Sequence, residues 1–247
     1  MNYSIISLLK DNFRLTNECI ILAAPLVLFI ILFQLYVDNF QYRLSNYANY
    51  ISYLMVLWVC ISAFFSGWFY MIRKTISSNK KKFLSNIDRN AELRGLFMCL
   101  FKGIGRFFIQ FLLLIALFFI FSLLCTLATI YLYNSPLKPD YKVLTGITKI
   151  VQLITLYWFI YLVPEIVYSY KNIFKCIISS FKKAYFSLKQ SLLIYVLICL
   201  IGIVLNFVVI NIFEHPIVYF IALLFVYYFT LYAVLLIFNN YERNFIW

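Results

Sequence analysis

The sequence has few charged residues: they make up 12% of its 247 residues, whereas 65% of the residues are hydrophobic. A water-soluble domain contains about 25% charged and about 45–50% apolar residues. The chain therefore lacks the polar surface that a water-exposed fold requires. This excludes a soluble globular domain and predicts a protein that is surrounded largely by lipid.

Residues for catalysis and for metal binding are also scarce. His215 is the single histidine, and one histidine beside Glu214 makes no plausible metal site. The motifs G-x-S-x-G, H-E-x-x-H and Walker A do not occur. The six cysteines form no C-x-x-C pair and lie in or beside apolar runs, which indicates small apolar residues rather than a disulfide framework or a zinc site. We therefore predict no enzymatic activity, no cofactor and no metal.

Long apolar runs are the main feature that is present. A helix needs about 20 residues to cross about 30 Å of hydrocarbon. The runs are continuously apolar, which favours helices over the alternating strands of a membrane barrel. We therefore predict an all-α polytopic integral membrane protein that forms a single membrane domain over residues 1–247. Its six transmembrane helices are expected near 19–37, 51–72, 107–133, 150–170, 191–213 and 216–238.

The positions of Lys and Arg predict the orientation, because basic residues are enriched in cytoplasmic segments. If both termini are cytoplasmic, 17 of the 21 basic residues lie inside, and the exceptions are Arg43, Lys138, Lys142 and Lys149. We therefore predict a multi-pass protein of the bacterial plasma membrane with both termini in the cytoplasm. The net charge of +12 is then explained by membrane insertion, and without a nucleic-acid motif we expect no nucleic-acid partner.

The segment 171–189 has the pattern of an amphipathic interfacial helix. Its apolar residues recur at three- and four-residue steps and form one face: Phe174, Ile177, Ile178, Phe181, Tyr185 and Leu188. Lysines line one flank of that face, namely Lys171, Lys175, Lys182 and Lys189, and Lys183 lies well away from it. We predict that the helix lies in the headgroup plane and that these five lysines contact anionic lipid headgroups on the cytoplasmic side.

Two further basic amphipathic segments precede a span, near 4–15 and near 92–106. One interpretation is a threefold repeat of an interfacial helix followed by a helical hairpin. The other is that any span entering from the cytoplasm acquires a basic amphipathic segment before it. Within the second segment, Gly103 and Gly105 form a lone G-x-G, which we interpret as a flexible joint at the membrane surface.

Glu165 is the single charged residue within a predicted span. Such a charge is unfavourable by about 2.5–3.5 kcal/mol at the centre of a span, and it marks a candidate functional site. Glu165 lies about 7–8 Å from the cytoplasmic end of its span, where snorkelling or pairing with Lys171 or Lys175 would satisfy it. Pro164 is expected to kink this helix. Uncharged polar residues of the spans would form an intramembrane polar site if they converge with Glu165, namely Gln34, Gln110, Gln152 and Asn206.

Residues 159–197 combine an apolar run, Pro164, the acidic Glu165, an amphipathic segment containing Ser180, and a new span. This pattern resembles the signature of the six-helix membrane domain attached to some bacterial glycerophosphodiester phosphodiesterases, and of related uncharacterised bacterial membrane proteins. No phosphodiesterase domain follows in this sequence. The resemblance therefore implies the six-helix fold and not the hydrolase activity.

Two functions of different classes are open at this point. An intramembrane enzyme is disfavoured, because the sequence offers no candidate pair of catalytic groups. The first is a non-catalytic scaffold or accessory subunit that presents a basic amphipathic face to membrane lipid, or to a membrane or cytoplasmic protein partner. The second is a small transporter or permease component that uses a polar site near Glu165. A polar cavity that reaches the membrane midplane beside Glu165 would favour the second.

Overall fold

The computed structural model describes residues 5–41, 47–79, 89–134, 140–169, 172–211 and 216–246. These residues form α-helices, and a 3-10 turn at Ile20–Leu22 connects the first two helices. The helices are α1 (Ile5–Glu18), α2 (Ala23–Gln41), α3 (Tyr47–Asn79), α4 (Arg89–Tyr133), α5 (Tyr141–Trp158), α6 (Leu162–Ser169), α7 (Ile173–Phe186), α8 (Leu188–Asn211) and α9 (Pro216–Phe245).

In the described part of the chain, six helical segments are long and apolar enough to cross a membrane. They are Ile20–Asn39, Ile51–Ser77, Gly95–Tyr133, Lys142–Ser169, Leu188–Phe207 and Ile221–Phe245. Each overlaps one predicted span, so the prediction of an all-α protein with six transmembrane helices is confirmed. Large apolar side chains such as Leu28, Ile203 and Phe207 are more than half exposed, as expected where hydrocarbon rather than water surrounds the helices.

The packed core occupies one half of the helical bundle. Successive spans run in opposite directions, and α1, α6, α7 and the last turns of α9 meet at one end, which we call the α7 end. The largest fully buried side chains cluster in this half: Trp68, Phe107, Phe111, Tyr161, Phe238 and Tyr241. The Trp68 indole donates a hydrogen bond of 2.8 Å to the Leu22 carbonyl and thereby fixes α3 against the start of α2.

Helices α3 and α4 touch backbone to backbone at two glycines. A Cβ atom on Gly103 would lie 2.7 Å from Cβ of Tyr70 and 2.8 Å from Cα of Gly67. A Cβ atom on Gly105 would meet nothing within 4 Å. The interpretation of Gly103 as a flexible joint was therefore wrong. It lies inside a continuous helix and provides the small surface that close helix packing in membranes requires.

The predicted interfacial segments have different outcomes. The segments near 4–15 and 171–189 correspond to separate helices, α1 and α7. The segment near 92–106 does not, because it continues without a break into the third span as the 45-residue helix α4. No proline interrupts α4, and α4 contacts α3 on both sides of the predicted boundary, at Gly103 and at Leu112, whose carbonyl accepts a hydrogen bond from Trp58. The three lead-in segments therefore differ in structure.

The fourth span is interrupted, and the break supplies a turn near Glu165. Helix α5 ends at Trp158 and α6 begins at Leu162. Pro164 has no backbone N–H with which to bond the Ile160 carbonyl four residues earlier, and its ring clashes with a carbonyl at that position in a regular helix. The helix therefore breaks one turn before Pro164 and resumes with Glu165 in its first turn.

Candidate functional site

Glu165 forms the centre of a buried polar cluster at the α7 end. Its side chain is fully buried, and its Oε2 atom lies 2.6 Å from Nζ of Lys183 on α7. The hydroxyl of Tyr241 on α9 donates a second hydrogen bond to the same oxygen. Three helices that are separate in sequence, α6, α7 and α9, are thus joined through a single carboxylate.

Lys183 is bound on several sides. Its ammonium group donates a hydrogen bond of 2.6 Å to the Tyr241 hydroxyl and lies 4.4 Å from the centre of the Tyr241 ring. It also lies 5.2 Å from the centre of the Phe245 ring. Aromatic faces attract cations electrostatically at such distances. The lysine therefore has an anion, a hydroxyl and two aromatic rings as partners within the bundle.

The position of Lys183 corrects its assignment as a lipid-facing residue. It lies on the same side of α7 as Cys176, Ser180 and Ala184, which are small and fully buried. Small side chains let α7 approach α6 closely, and this brings the Lys183 side chain to Glu165. The expected pairing of Glu165 with Lys175 is not found, because Lys175 is exposed. Lys171 lies outside the described residues.

A second set of contacts centres on Tyr161, which lies in the turn before α6. Asn240 donates a hydrogen bond to the hydroxyl of Tyr161, and Ser187 approaches the same hydroxyl at 3.4 Å. Tyr161 and Asn240 are both buried. These contacts connect the turn before α6 to α9 and to the end of α7, so the elements that carry the central cluster are themselves fixed in position.

A separate charged contact involves Tyr168, which lies in the last turn of α6. Its hydroxyl donates a hydrogen bond of 2.8 Å to Oε2 of Glu242. The guanidinium group of Arg73 lies 4.8 Å from the centre of the Tyr168 ring and donates a hydrogen bond of 2.6 Å to the Val167 carbonyl. The Tyr168 side chain is thus held between a cation on α3 and an anion on α9.

Helix α1 packs against α9 at the same end of the bundle. Asp11 forms an ion pair of 2.9 Å with Arg243. Asn12 is fully buried and donates a hydrogen bond of 3.0 Å to the Tyr232 carbonyl. Helix α1 therefore does more than lie beside the bundle, because one of its polar side chains is part of the core.

Three of the four other predicted polar residues lie away from Glu165. Gln34 is exposed and donates a hydrogen bond to Asp38, one turn further along α2. Asn206 is exposed near the far end of α8, and Gln152 lines a groove between α4 and α5 near their connection. Gln110 is half-buried in α4. Gln34, Gln152 and Asn206 therefore do not form the predicted intramembrane site with Glu165, whose carboxylate instead accepts hydrogen bonds from Lys183 and Tyr241.

Sequence reasoning missed the contribution of α9. The predicted sixth span ended at 238, whereas α9 continues to Phe245, and four consecutive residues after Phe238 are buried: Asn239, Asn240, Tyr241 and Glu242. A signal was present in the run NNYER directly after an apolar helix. Polar residues that continue a helix without a Gly or Pro are better explained by burial against other polar groups than by a free tail.

Glu165, Lys183 and Tyr241 together form a largely buried, hydrogen-bonded ion-pair network. In the part of the chain that the structure describes, no group of three His, Cys, Asp or Glu side chains is placed to hold a metal. Comparison of the chain with protein-family models, curated proteins and solved structures found no match. The class of protein is therefore established by the fold: a multi-pass helical membrane protein with a polar core at one end.

Proposed function

We propose that this protein is a non-catalytic membrane scaffold or accessory subunit whose α7 end lies at the cytoplasmic surface of the bacterial plasma membrane. The two-sided character of α7 supports this proposal most directly. One side of α7 is fixed to the bundle through Lys183, Ser180 and Cys176. The other side carries Phe174, Ile178 and Tyr185, each more than half exposed.

The charges on the outer side of α7 favour a lipid surface as its contact. Lys175 and Lys182 are exposed, and they accompany the exposed aromatic and aliphatic side chains. A helix with an apolar side and flanking lysines binds at the boundary between headgroups and acyl chains, where anionic lipids attract the lysines. Helix α1 is similar, since Phe13 and Ile6 are exposed and Lys10 and Arg14 lie beside them.

The alternative, a transporter that uses Glu165, has less support. A transported solute or ion must reach Glu165, but this side chain is fully buried. Its Oε2 atom already accepts hydrogen bonds from Lys183 and Tyr241. Gln34 and Asn206 are exposed on α2 and α8, so they do not support a polar route to Glu165.

Photo-crosslinking in cells tests the scaffold proposal. A benzophenone amino acid replaces Ile178 on the outer side of α7, and Phe207 on α8 provides the matched control because it is 69% exposed at the other end of a span. We expect crosslinks to phospholipid at both positions, with a larger share of anionic lipid at Ile178. Replacement of Lys175 and Lys182 by Gln should reduce that share to the value at Phe207.

An equal share of anionic lipid at the two positions would show that charge does not direct α7 to the leaflet. A discrete protein adduct at Ile178 would show that a protein, not lipid, covers this side of α7. In that case the accessory-subunit form of the proposal would replace the lipid-bound form.

A further inference from the structure

A groove between α4 and α5 lies at the opposite end of the bundle from Glu165. Its volume is about 330 Å³, and its lining combines hydroxyl, amide and ammonium groups with a single aliphatic residue. The lining residues are Thr126, Thr129, Ile130, Thr145, Thr148, Lys149 and Gln152. This volume is within the range of small-ligand sites, about 300–1,000 Å³.

The hydrogen bonds of the threonines determine what they offer to a ligand. Thr126 and Thr145 donate to carbonyls of their own helices, those of Ser122 and Lys142. Thr129 and Thr148 lie 2.8 Å apart, and each is also within hydrogen-bond distance of a carbonyl one turn earlier. Their hydroxyl hydrogens are therefore used within the protein. What Thr126, Thr129 and Thr148 present to the groove is lone pairs, which accept hydrogen bonds.

Lys149 and Gln152 supply the complementary donors. Lys149 carries the only formal charge among the residues that line the groove, and its side chain is exposed. The Lys149 ammonium group has three N–H donors and the Gln152 amide has two. Such donors bind a singly charged oxyanion. A ligand for this groove therefore has one negative charge for Lys149 and hydroxyl hydrogens for the threonines.

The depth of the groove places it near lipid headgroups. Lys149 is eight residues from the start of α5, about 12 Å along the helix, and Thr129 is four residues from the end of α4, about 6 Å. A lysine at this depth extends its ammonium group toward the interface. We propose that the groove binds the phosphate group of an anionic headgroup that also carries hydroxyls, and that the lipid of this leaflet provides it.

Lipid retention by the purified full-length protein tests this assignment. The protein is exchanged into nanodiscs of phosphatidylglycerol, phosphatidylserine or phosphatidylcholine, and bound lipid is counted by native mass spectrometry. Phosphatidylglycerol and phosphatidylserine carry the same net charge. The headgroup of phosphatidylglycerol donates hydrogen bonds from hydroxyls, whereas that of phosphatidylserine donates them from an ammonium group that Lys149 repels. We expect retention to decrease in the order phosphatidylglycerol, phosphatidylserine, phosphatidylcholine.

Two variants and a control separate charge from hydroxyl recognition. Lys149→Gln should weaken phosphatidylglycerol retention about fivefold, the equivalent of about 1 kcal/mol for one lysine near an anionic headgroup. Thr148→Val should remove the preference for phosphatidylglycerol over phosphatidylserine while retaining the preference for charge. Lys142→Gln is the matched control, because Lys142 is exposed on the same helix and does not line the groove.

The source of the phosphate is tested with inorganic phosphate in detergent without added lipid. Thermal stabilisation by phosphate that is lost in Lys149→Gln would support the anion site and assign its ligand to the aqueous phase. Equal retention of the three lipids by the unmodified protein would overturn the proposal. So would a loss in Lys142→Gln as large as that in Lys149→Gln, since charge at the helix start rather than the groove would then attract the lipid.

Discussion

The ion pair of Glu165 and Lys183 joins two side chains that differ in their access to solvent. The Glu165 side chain is 1% exposed and the Lys183 side chain 24% exposed. The carboxylate therefore depends on its protein partners for solvation, whereas the ammonium group retains some contact with its surroundings. Removing either partner from such a pair is unfavourable mainly because the remaining charge is left without compensation.

We expect Glu165→Gln to destabilise the protein. Loss of one partner of a fully buried pair lowers stability by about 3–5 kcal/mol, and partial exposure of Lys183 reduces this to about 2–3 kcal/mol. Lys183→Met in the same chain should restore part of the loss, because the stranded ammonium group is then gone. Thermal unfolding in detergent of the two single variants and the double variant measures the coupling. Unchanged stability in Glu165→Gln would instead support an unpaired carboxylate that reaches the interface alone.

The Tyr241 hydroxyl should contribute separately from its ring. Tyr241→Phe removes the hydrogen bond to Glu165 and the acceptor for Lys183 but retains the aromatic face. A buried hydrogen bond to a charged group contributes about 1.5–3 kcal/mol. Tyr228→Phe is the control, because that hydroxyl bonds Asn17 at an exposed position. If both substitutions lower the unfolding temperature equally, the buried Tyr241 hydroxyl contributes no more to stability than the exposed Tyr228 hydroxyl.

The contact between α3 and α4 should be sensitive to a single methyl group. In Gly103→Ala the new Cβ atom would meet backbone and Cβ atoms at 2.7–2.8 Å, and α3 must move away. Such overpacking typically lowers stability by about 1–3 kcal/mol. Gly105→Ala, two residues further on, has open space and should be neutral or stabilising by up to about 1 kcal/mol. Equal melting temperatures for the two variants would contradict the close contact.

Salt should distinguish the Glu165–Lys183 ion pair from the Asp11–Arg243 ion pair. The Asp11 side chain is 44% exposed and that of Arg243 21%. Exposed pairs contribute about 0–1 kcal/mol and are screened by salt. The loss caused by Asp11→Asn should therefore be small and should shrink as salt is added. The loss caused by Glu165→Gln should persist in the same salt titration, and a parallel decline would argue against burial of that pair.

Reporter fusions test the orientation. The distribution of basic residues predicts that fusions at Ser78 and at Trp247 report the cytoplasm and that a fusion at Asn46 reports the outside. The six spans alternate in direction, so the three positions must agree with one another. A periplasmic signal from Ser78 would exclude the predicted topology.

The sequence was sufficient to predict the class of the fold, because long apolar runs in lipid have few structural alternatives to helices. It also singled out Glu165, the one charge within a predicted span. The partner of Glu165 could not be predicted in the same way. Lys183 was assigned to the lysines that contact lipid headgroups. Helical periodicity describes one helix at a time, and this periodicity does not show which side of the helix faces a neighbouring helix.

Two features of this sequence could have corrected that interpretation. On α7 the residues in line with Lys183 are small, namely Cys176, Ser180 and Ala184, and small residues mark helix contacts in membranes. On α9 the polar run after Phe238 has no helix stop before it. The close approach of Gly67 and Gly103 is harder to predict, because it depends on the register between two long helices.

The contact between Asp11 and Arg243 has a consequence for biogenesis, since 232 positions separate the two residues. Ribosomes deliver α1 to the membrane long before α9. Until α9 arrives, Asn12 lacks the Tyr232 carbonyl and Glu165 lacks the Tyr241 hydroxyl. The polar contacts at the α7 end therefore become complete only when α9 packs against α1 and α6.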